Sequence, residues 1–215
     1  GSFGQVDVGR RMNAAALLHT FIPSAGVGVF GVDNARMSSF VGGNNNTTTA
    51  TSMGDNSTTT LYANRIQYFT PRVEGLQLAA SYTPDTDPHL SNVNVSTPNN
   101  YDSALSYKNE YSVAGDYSRE FGEFGVKTSV GYTNGQNSNG PLSLLVRDFE
   151  ALSSGINLSA YGFTVGGAYS EQESGLFTSG KERRFGGGTK YETGPWTFGV
   201  SYLQRKADDA TNIAL

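Results

Sequence analysis

The sequence predicts an all-β chain: a transmembrane antiparallel up-and-down β-barrel. Charged residues make up only 16% of the 215 residues and aromatics 12%, where soluble domains carry roughly 25% charge. Apolar and polar side chains alternate along many short segments, as they do when successive residues of a strand point to opposite faces of a sheet. The connections also alternate, short Gly/Pro turns with long polar loops, which is the layout of membrane-spanning barrels.

The first segment sets Val6 and Val8 against Gln5 and Asp7. Residues 11–60 then break the rhythm. Asn13-Ala14-Ala15-Ala16-Leu17-Leu18-His19 is read as a short helix, and Leu17, Leu18, Phe21, Phe30 and Phe40 mark the first part of this stretch as ordered. The tract after Gly42-Gly43-Asn44-Asn45-Asn46 is expected to be exposed and mobile. So long a connection is uncommon unless it has a function.

Alternation resumes with Ile66 and Tyr68 against Arg65 and Gln67, and Leu76, Leu78, Ala80 and Tyr82 against Gln77, Ala79 and Ser81. Tyr111, Val113 and Tyr117 oppose Glu110, Ser112 and Asp116; Val126, Val130 and Tyr132 oppose Lys127, Ser129 and Gly131. Ile156 and Leu158 oppose Asn157 and Ser159; Phe163, Val165 and Tyr169 oppose Thr164, Ala168 and Ser170. A glycine-rich segment over 184–191 reads less clearly, and Trp196, Phe198, Val200 and Tyr202 against Thr197, Gly199 and Ser201 close the series. This makes about nine strands. Turns are expected at 71–75, 119–123, 160–162 and 192–195, each carrying Gly or Pro, and loops at 83–102, 134–148 and 171–183. A soluble β-sandwich alternates in the same way. Charges at strand centres on the polar face, and aromatics gathered near strand ends (Tyr68, Tyr82, Tyr117, Tyr132, Tyr169, Trp196, Tyr202), favour an apolar band with aromatic girdles.

Other chemistries find little support. No Cys is present, so disulfides and thiolate metal sites are excluded. A net charge of −4 argues against nucleic acid. No stretch approaches the roughly 18 apolar residues of a membrane helix. Gly26-Val27-Gly28-Val29-Phe30-Gly31 matches a dinucleotide-binding glycine pattern, but Pro23 interrupts the lead-in and no convincing helix follows. His19 and His89 lack partners at zinc-ligand spacing, and no Gly-x-Ser-x-Gly elbow occurs. No cofactor is expected, except that Asp85 and Asp87, or Asp208 and Asp209, could bind calcium through carboxylate oxygens, with solvated loop charge the favoured reading of these small clusters. Asn46-Thr47-Thr48 fits a glycosylation sequon by chance among many Asn and Thr. The chain opens at Gly1 without Met or signal peptide and stops at Leu215 after a charged stretch; both ends read as cuts.

Gly1-Ser2-Phe3-Gly4-Gln5-Val6-Asp7-Val8-Gly9-Arg10 resembles the strand that the general porins of Gram-negative bacteria place before their long inward-folded loop. Asn64-Arg65-Ile66-Gln67-Tyr68-Phe69-Thr70-Pro71 with Glu74-Gly75-Leu76-Gln77 and Ser81-Tyr82 is similar to the next hairpin, and Tyr191-Glu192-Thr193-Gly194-Pro195-Trp196-Thr197 with Ser201-Tyr202 to a later one. The resemblance covers nearly the whole chain, by order and spacing of motifs. It implies a porin-type barrel of about 16 strands, of which residues 1–215 form one partial domain, strands being expected before Gly1 and after Leu215. The terminal aromatic residue usual in the family is not seen.

The resemblance further implies an outer-membrane location, passive diffusion of small hydrophilic solutes and ions, no enzymatic activity, a homotrimer, and contact with outer-membrane lipid and lipopolysaccharide. Residues 11–60 would fold into the lumen and narrow it. Asp33 is the leading acidic candidate there, with Asp55 behind it. The basic candidates are Arg10, Arg65 and Lys127, taken as inward-facing strand positions, with Arg11 beside them. Opposed acidic and basic walls would favour polar solutes. The alternatives are an outer-membrane barrel without transport, such as an adhesin or structural protein, and a soluble β-sandwich binding module.

Overall fold

The structure, a computed structural model, describes residues 3–25, 63–86, 107–137, 148–173, 181–207 and 210–214. Ten strands form a single antiparallel sheet: β1 (Gln5–Arg11), β2 (Ala63–Phe69), β3 (Leu76–Asp85), β4 (Tyr107–Phe121), β5 (Phe124–Asn137), β6 (Phe149–Ala160), β7 (Phe163–Glu173), β8 (Lys181–Thr193), β9 (Trp196–Ala207) and β10 (Ala210–Ala214). Each strand pairs with the next in sequence, without a crossover. One short helix, α1 (Ala14–Leu18), follows β1. The sheet is all-β, antiparallel and up-and-down, as the alternation predicts. It carries one strand beyond the expected count, β10. A sandwich would need a second facing sheet, and the described residues form only this one.

The two faces differ as the sequence pattern requires. One presents Val8 at 75% exposure, Ile66 at 51% and Leu78 at 50%, together with Val113, Val130, Ile156, Val165 and Val200. The other carries Gln67, Ser81, Ser112, Asp116, Ser129, Ser153, Ser170 and Ser201, all buried. This inverts the arrangement of a water-soluble protein. Each Val, Leu or Ile on the open face gains roughly 1.5–3 kcal/mol when covered by hydrocarbon. Among the described residues no helix is long and apolar enough to cross a membrane; the elements long enough to do so are strands. β4 has 15 residues and β5 has 14, more than the roughly 9–11 a tilted strand needs to span.

At one end of the sheet the strands are joined by four two-residue hairpins. Val73 bridges to Leu76, Phe121 pairs with Phe124, Ala160 with Phe163, and Thr193 with Trp196. In two of them both loop residues have positive φ: Glu74 (49°) and Gly75 (94°), Tyr161 (50°) and Gly162 (82°). These are the signs of a type I′ turn, whose twist matches that of the flanking strands. At the other end the strands run further than expected. β3 reaches Asp85, β5 reaches Asn137, β7 reaches Glu173 and β8 starts at Lys181. Cross-strand pairing there, Lys108 with Gln136 and Glu173 with Lys181 for example, overrides the polar composition that suggested loop.

A register shift between Lys108 and Tyr111 marks a β-bulge in β4, where Asn109 takes φ 50°. The extra residue lets Tyr107 and Glu110, an odd number apart, both be buried on the polar face. Tyr82 Oη donates to Asn109 Oδ1 at 2.8 Å and Asn109 Nδ2 donates to Gln136 Oε1 at 3.1 Å, which fastens the bulge. Gly75→Ala tests the turn chemistry: at φ 94° its Cβ would lie 2.8 Å from the Ser118 carbonyl oxygen. Destabilisation by more than about 1 kcal/mol is expected in a urea unfolding midpoint, since the positive φ is strained for alanine.

Candidate functional site

The chain leaves β1 at Arg11, turns onto the polar face and runs across it. Asn13 opens α1: its extended backbone (φ −72°, ψ 166°) is that of an N-cap, and its Oδ1 accepts from Ala16 N at 2.8 Å. Two further N–H groups of the first turn have no partner within the helix. Ala14 N donates to Ser81 Oγ on β3 at 3.1 Å, and Ala15 N to Ser112 Oγ on β4 at 3.0 Å. Thr133 on β5 donates to Ser112 Oγ at 3.0 Å. Beyond α1, Thr20 N donates to Ser129 Oγ on β5 at 2.6 Å, Asn157 Nδ2 on β6 donates to the Phe21 carbonyl at 2.9 Å, and Ser201 Oγ on β9 donates to the Pro23 carbonyl at 2.8 Å. Side chains of the wall thus hold backbone atoms of residues 14–23 at five points, each worth about 1 kcal/mol net. Ala14, Ala15, Ala16 and Ile22 are buried, while Leu17 and Phe21 remain 44% and 40% exposed.

Charged side chains stand on the same polar face. Arg65 on β2 reaches across β3 to Glu110 on β4, Nη1 to Oε1 at 3.2 Å, with both side chains almost wholly buried. Arg184 and Glu182, both buried on β8, form a second pair two residues apart. Near the short turns Arg72 takes both carboxylate oxygens of Asp116, at 2.9 and 2.7 Å. Lys127, opposite Asn157 in the β5–β6 register, is exposed. His19 is buried where the segment passes β5, edge-on to Phe21 with ring centroids 4.9 Å apart. Burial, reinforced by the nearby Lys127 charge, pushes its imidazole down to about 4; it is therefore neutral at pH 7.

The structure sorts the predicted residues. Arg65 and Lys127 lie on the polar face as expected, and so does Arg11, opposite buried Ala63. Arg10 does not. It pairs with Asn64 and shares the face of Val6, Val8 and Ile66, which corrects its assignment as an inward position. Its even number, in step with Val6 and Val8, is the sign that reading overlooked. As the second-last residue of β1 it sits near the strand end, where a charge on the apolar face costs only about 0–1 kcal/mol.

Asp33 and Asp55, with the rest of residues 26–60, lie outside the described residues, as do the 26–31 glycine pattern, His89, Asp87, Asp208 and Asp209. Asp85 ends β3. Among the described residues no three His, Asp or Glu gather where a metal could sit. Sequence reading missed Glu110 and Glu182, and it missed the serines that anchor the segment. The recurrence of Ser at 81, 112, 129 and 201, one near the centre of the polar side of each strand, was the available signal.

A family model of Gram-negative porins matches residues 1–214. The chain belongs to the Gram-negative porins. Its fold is similar to that in the Salmonella typhi OmpF complex with daunomycin, with a TM-score of 0.61 at 17% identity over 98% of this chain and 59% of that one. It also matches Pseudomonas aeruginosa OccK8 (OprE), with a TM-score of 0.47 at 12% identity over 70% of this chain and 46% of that one. A third match is the anion-selective porin from Comamonas acidovorans, with a TM-score of 0.41 at 18% identity over 96% and 65%. The chain spans 59% of the length of the OmpF chain. No curated protein matches.

As a Gram-negative porin the protein resides in the bacterial outer membrane. The four two-residue hairpins are then the periplasmic end, and the opposite ends of the strands the outer one. The apolar face meets lipid, and the polar face with its crossing segment is the lumen side.

Glu110→Gln would remove the carboxylate that Arg65 faces inside the wall. Loss of up to about 3–5 kcal/mol is expected, read as a lower thermal midpoint in detergent. For His19 the sign runs toward acid. Between the unfolded value near 6.5 and the folded value of about 4, the unfolded chain binds a proton that the folded one refuses, so stability falls as pH drops through that window. The thermal midpoint should fall more between pH 7 and pH 5 in the unsubstituted protein than in His19→Gln; equal slopes would refute the assignment.

Proposed function

We propose that this porin forms a water-filled channel for passive diffusion of small hydrophilic solutes and ions across the outer membrane, acting as a channel rather than an enzyme. The observation that carries the reading is the polar face crossed by residues 13–25, held at five points by Ser81, Ser112, Ser129, Asn157 and Ser201. A segment fixed across a polar lumen is what narrows a pore to a selective width. In this reading residues 11–60 together form the constriction, Asp33 supplies the acidic side, and Arg11, Arg65 and Lys127 the basic side. Exposed Lys127 is the cation a passing solute meets; Arg65, paired with Glu110, contributes a rigid dipole more than an open charge. The protein works as a homotrimer within a closed barrel of about 16 strands, in contact with outer-membrane lipid and lipopolysaccharide.

A planar-bilayer recording tests the function. Discrete conductance steps are expected, and their absence from folded, inserted protein would favour a barrel with a structural or adhesive role instead. Ionic preference tests the site. Lys127→Glu reverses one lumen charge and should shift the reversal potential toward cation preference. Asp33→Asn should shift it toward anions. If neither variant changes the selectivity, these residues do not line the passage.

A further inference from the structure

Hydroxyl groups are only half of what seats the segment on the wall. Where residues 15–25 pass over β5, β6, β8 and β9, the wall position beneath is glycine. A Cβ built on Gly131 would lie 2.7 Å from the Ala15 Cβ, and one on Gly199 would lie 2.8 Å from the Ala25 nitrogen. At Gly155 the added carbon would run into the Thr20 carbonyl oxygen, and at Gly188 into the Pro23 carbonyl oxygen. On β7, Gly166 leaves the room that the Asn157 side chain occupies as it reaches the Phe21 carbonyl. The glycines have neighbours that contrast with them. Gly187, on the apolar side of β8, meets nothing nearer than the Gly166 carbonyl oxygen at 3.3 Å.

We propose that Gly131, Gly155, Gly188 and Gly199 are positioning residues for transport: they fix how far the segment stands off the wall, and so the width left open beside it. The proposal rests on the channel reading above and deepens it. Carbon atoms need about 3.5–4.0 Å between centres, so a single methyl group at these positions must push the segment toward the lumen by about 1 Å. The wall is braced by hydrogen bonds on both sides of each strand and yields less than the segment does. Since the hydrogen bonds go to backbone atoms, the wall holds the segment whatever side chains it turns toward the water. Lumen width is therefore written in the strands rather than in the loop.

The test uses the intact protein; residues 1–215 contain no cysteine, and any cysteine elsewhere in the barrel is first replaced by serine so that two introduced cysteines are labelled alone. Spin labels at Leu17→Cys on the segment and Glu123→Cys on a periplasmic turn report the stand-off as a distance. Gly131→Ala and Gly155→Ala, which press on residues 15 and 20 to either side of Leu17, are compared with Gly187→Ala, which carries the same glycine-to-alanine change on the other face. The expected result is a shifted label distance and a smaller unitary conductance for the first two, and neither change for Gly187→Ala.

If all three variants keep the same distance and conductance, the positioning role is overturned. If the unsubstituted protein passes no current, the channel reading fails on its own, and the label distances still decide the positioning. Should neither inward alanine variant fold, Ser112→Ala decides. It removes the hydroxyl beneath Ala15 but leaves the glycine contacts, so an unchanged mean distance supports contact with the wall as what sets the position, and a shifted one overturns it.

Discussion

A backbone N–H or C=O left unpaired in hydrocarbon costs several kcal/mol, so a chain that crosses a membrane as strands must join each strand to its neighbours along its whole length. The rest of this porin depends on that constraint. It dictates one continuous antiparallel sheet in sequence order, since two-residue turns are the shortest way to bring the next strand alongside. It also frees the side chains from holding the wall together. With the ladder supplying cohesion, the outward residues need only be apolar, and the inward ones need only suit water and the segment that crosses them. The strict alternation of Val, Leu, Ile and Tyr with Ser, Gly, Gln and Asp records two solvents acting on one strand.

The inward residues solve a second problem. An inward segment carries its own backbone polar groups, and inside a barrel it has no neighbouring strand to pair them. Residues 14–23 meet this in three ways: a short capped helix, serine hydroxyls that accept from Ala14, Ala15 and Thr20, and an amide and a hydroxyl that donate to Phe21 and Pro23. Small side chains suit this task. A serine reaches one backbone atom without filling the lumen, and a glycine lets the segment lie directly on the strand. Arg65 with Glu110 and Arg184 with Glu182 show the opposite solution, in which large charged groups are kept but neutralised against each other within the wall.

The fold was largely legible because period-two alternation and turn residues report local geometry. The four two-residue turns at the periplasmic end lie where Gly or Pro marked them, whereas the tight β9–β10 connection between Ala207 and Ala210 carries neither. Where composition misled, pairing decided. Polar residues at 83–85, 134–137, 171–173 and 181–183 read as loop, yet they continue the ladder, because beyond the lipid a strand no longer needs an apolar face. The bulge at Asn109 was hidden for the same kind of reason: it shifts register without changing composition. The site was less legible. Arg10 shows this: its face follows from its parity with Val6 and Val8, not from its charge beside the crossing segment. The serines were passed over because a hydroxyl on a polar face carries no distinctive motif; its role exists only once residues up to 178 positions apart, Pro23 and Ser201, are brought together.

Splitting the work in this way separates what stabilises the wall from what shapes its inner side. A change on the lipid side acts on burial and, apart from charges, is tolerated over a range of apolar sizes. A change one residue along acts on the lumen, where a single methyl group beneath a backbone carbonyl is large compared with the clearance available. Neighbouring residues such as Gly187 and Gly188 share a strand, a propensity and nearly a position, yet one touches the membrane side and the other the Pro23 carbonyl. Substitutions on the inner wall can therefore act on the crossing segment and leave the membrane surface untouched. The small residues on the inner wall, rather than the charges that first draw the eye, are where that variation would be most strongly constrained.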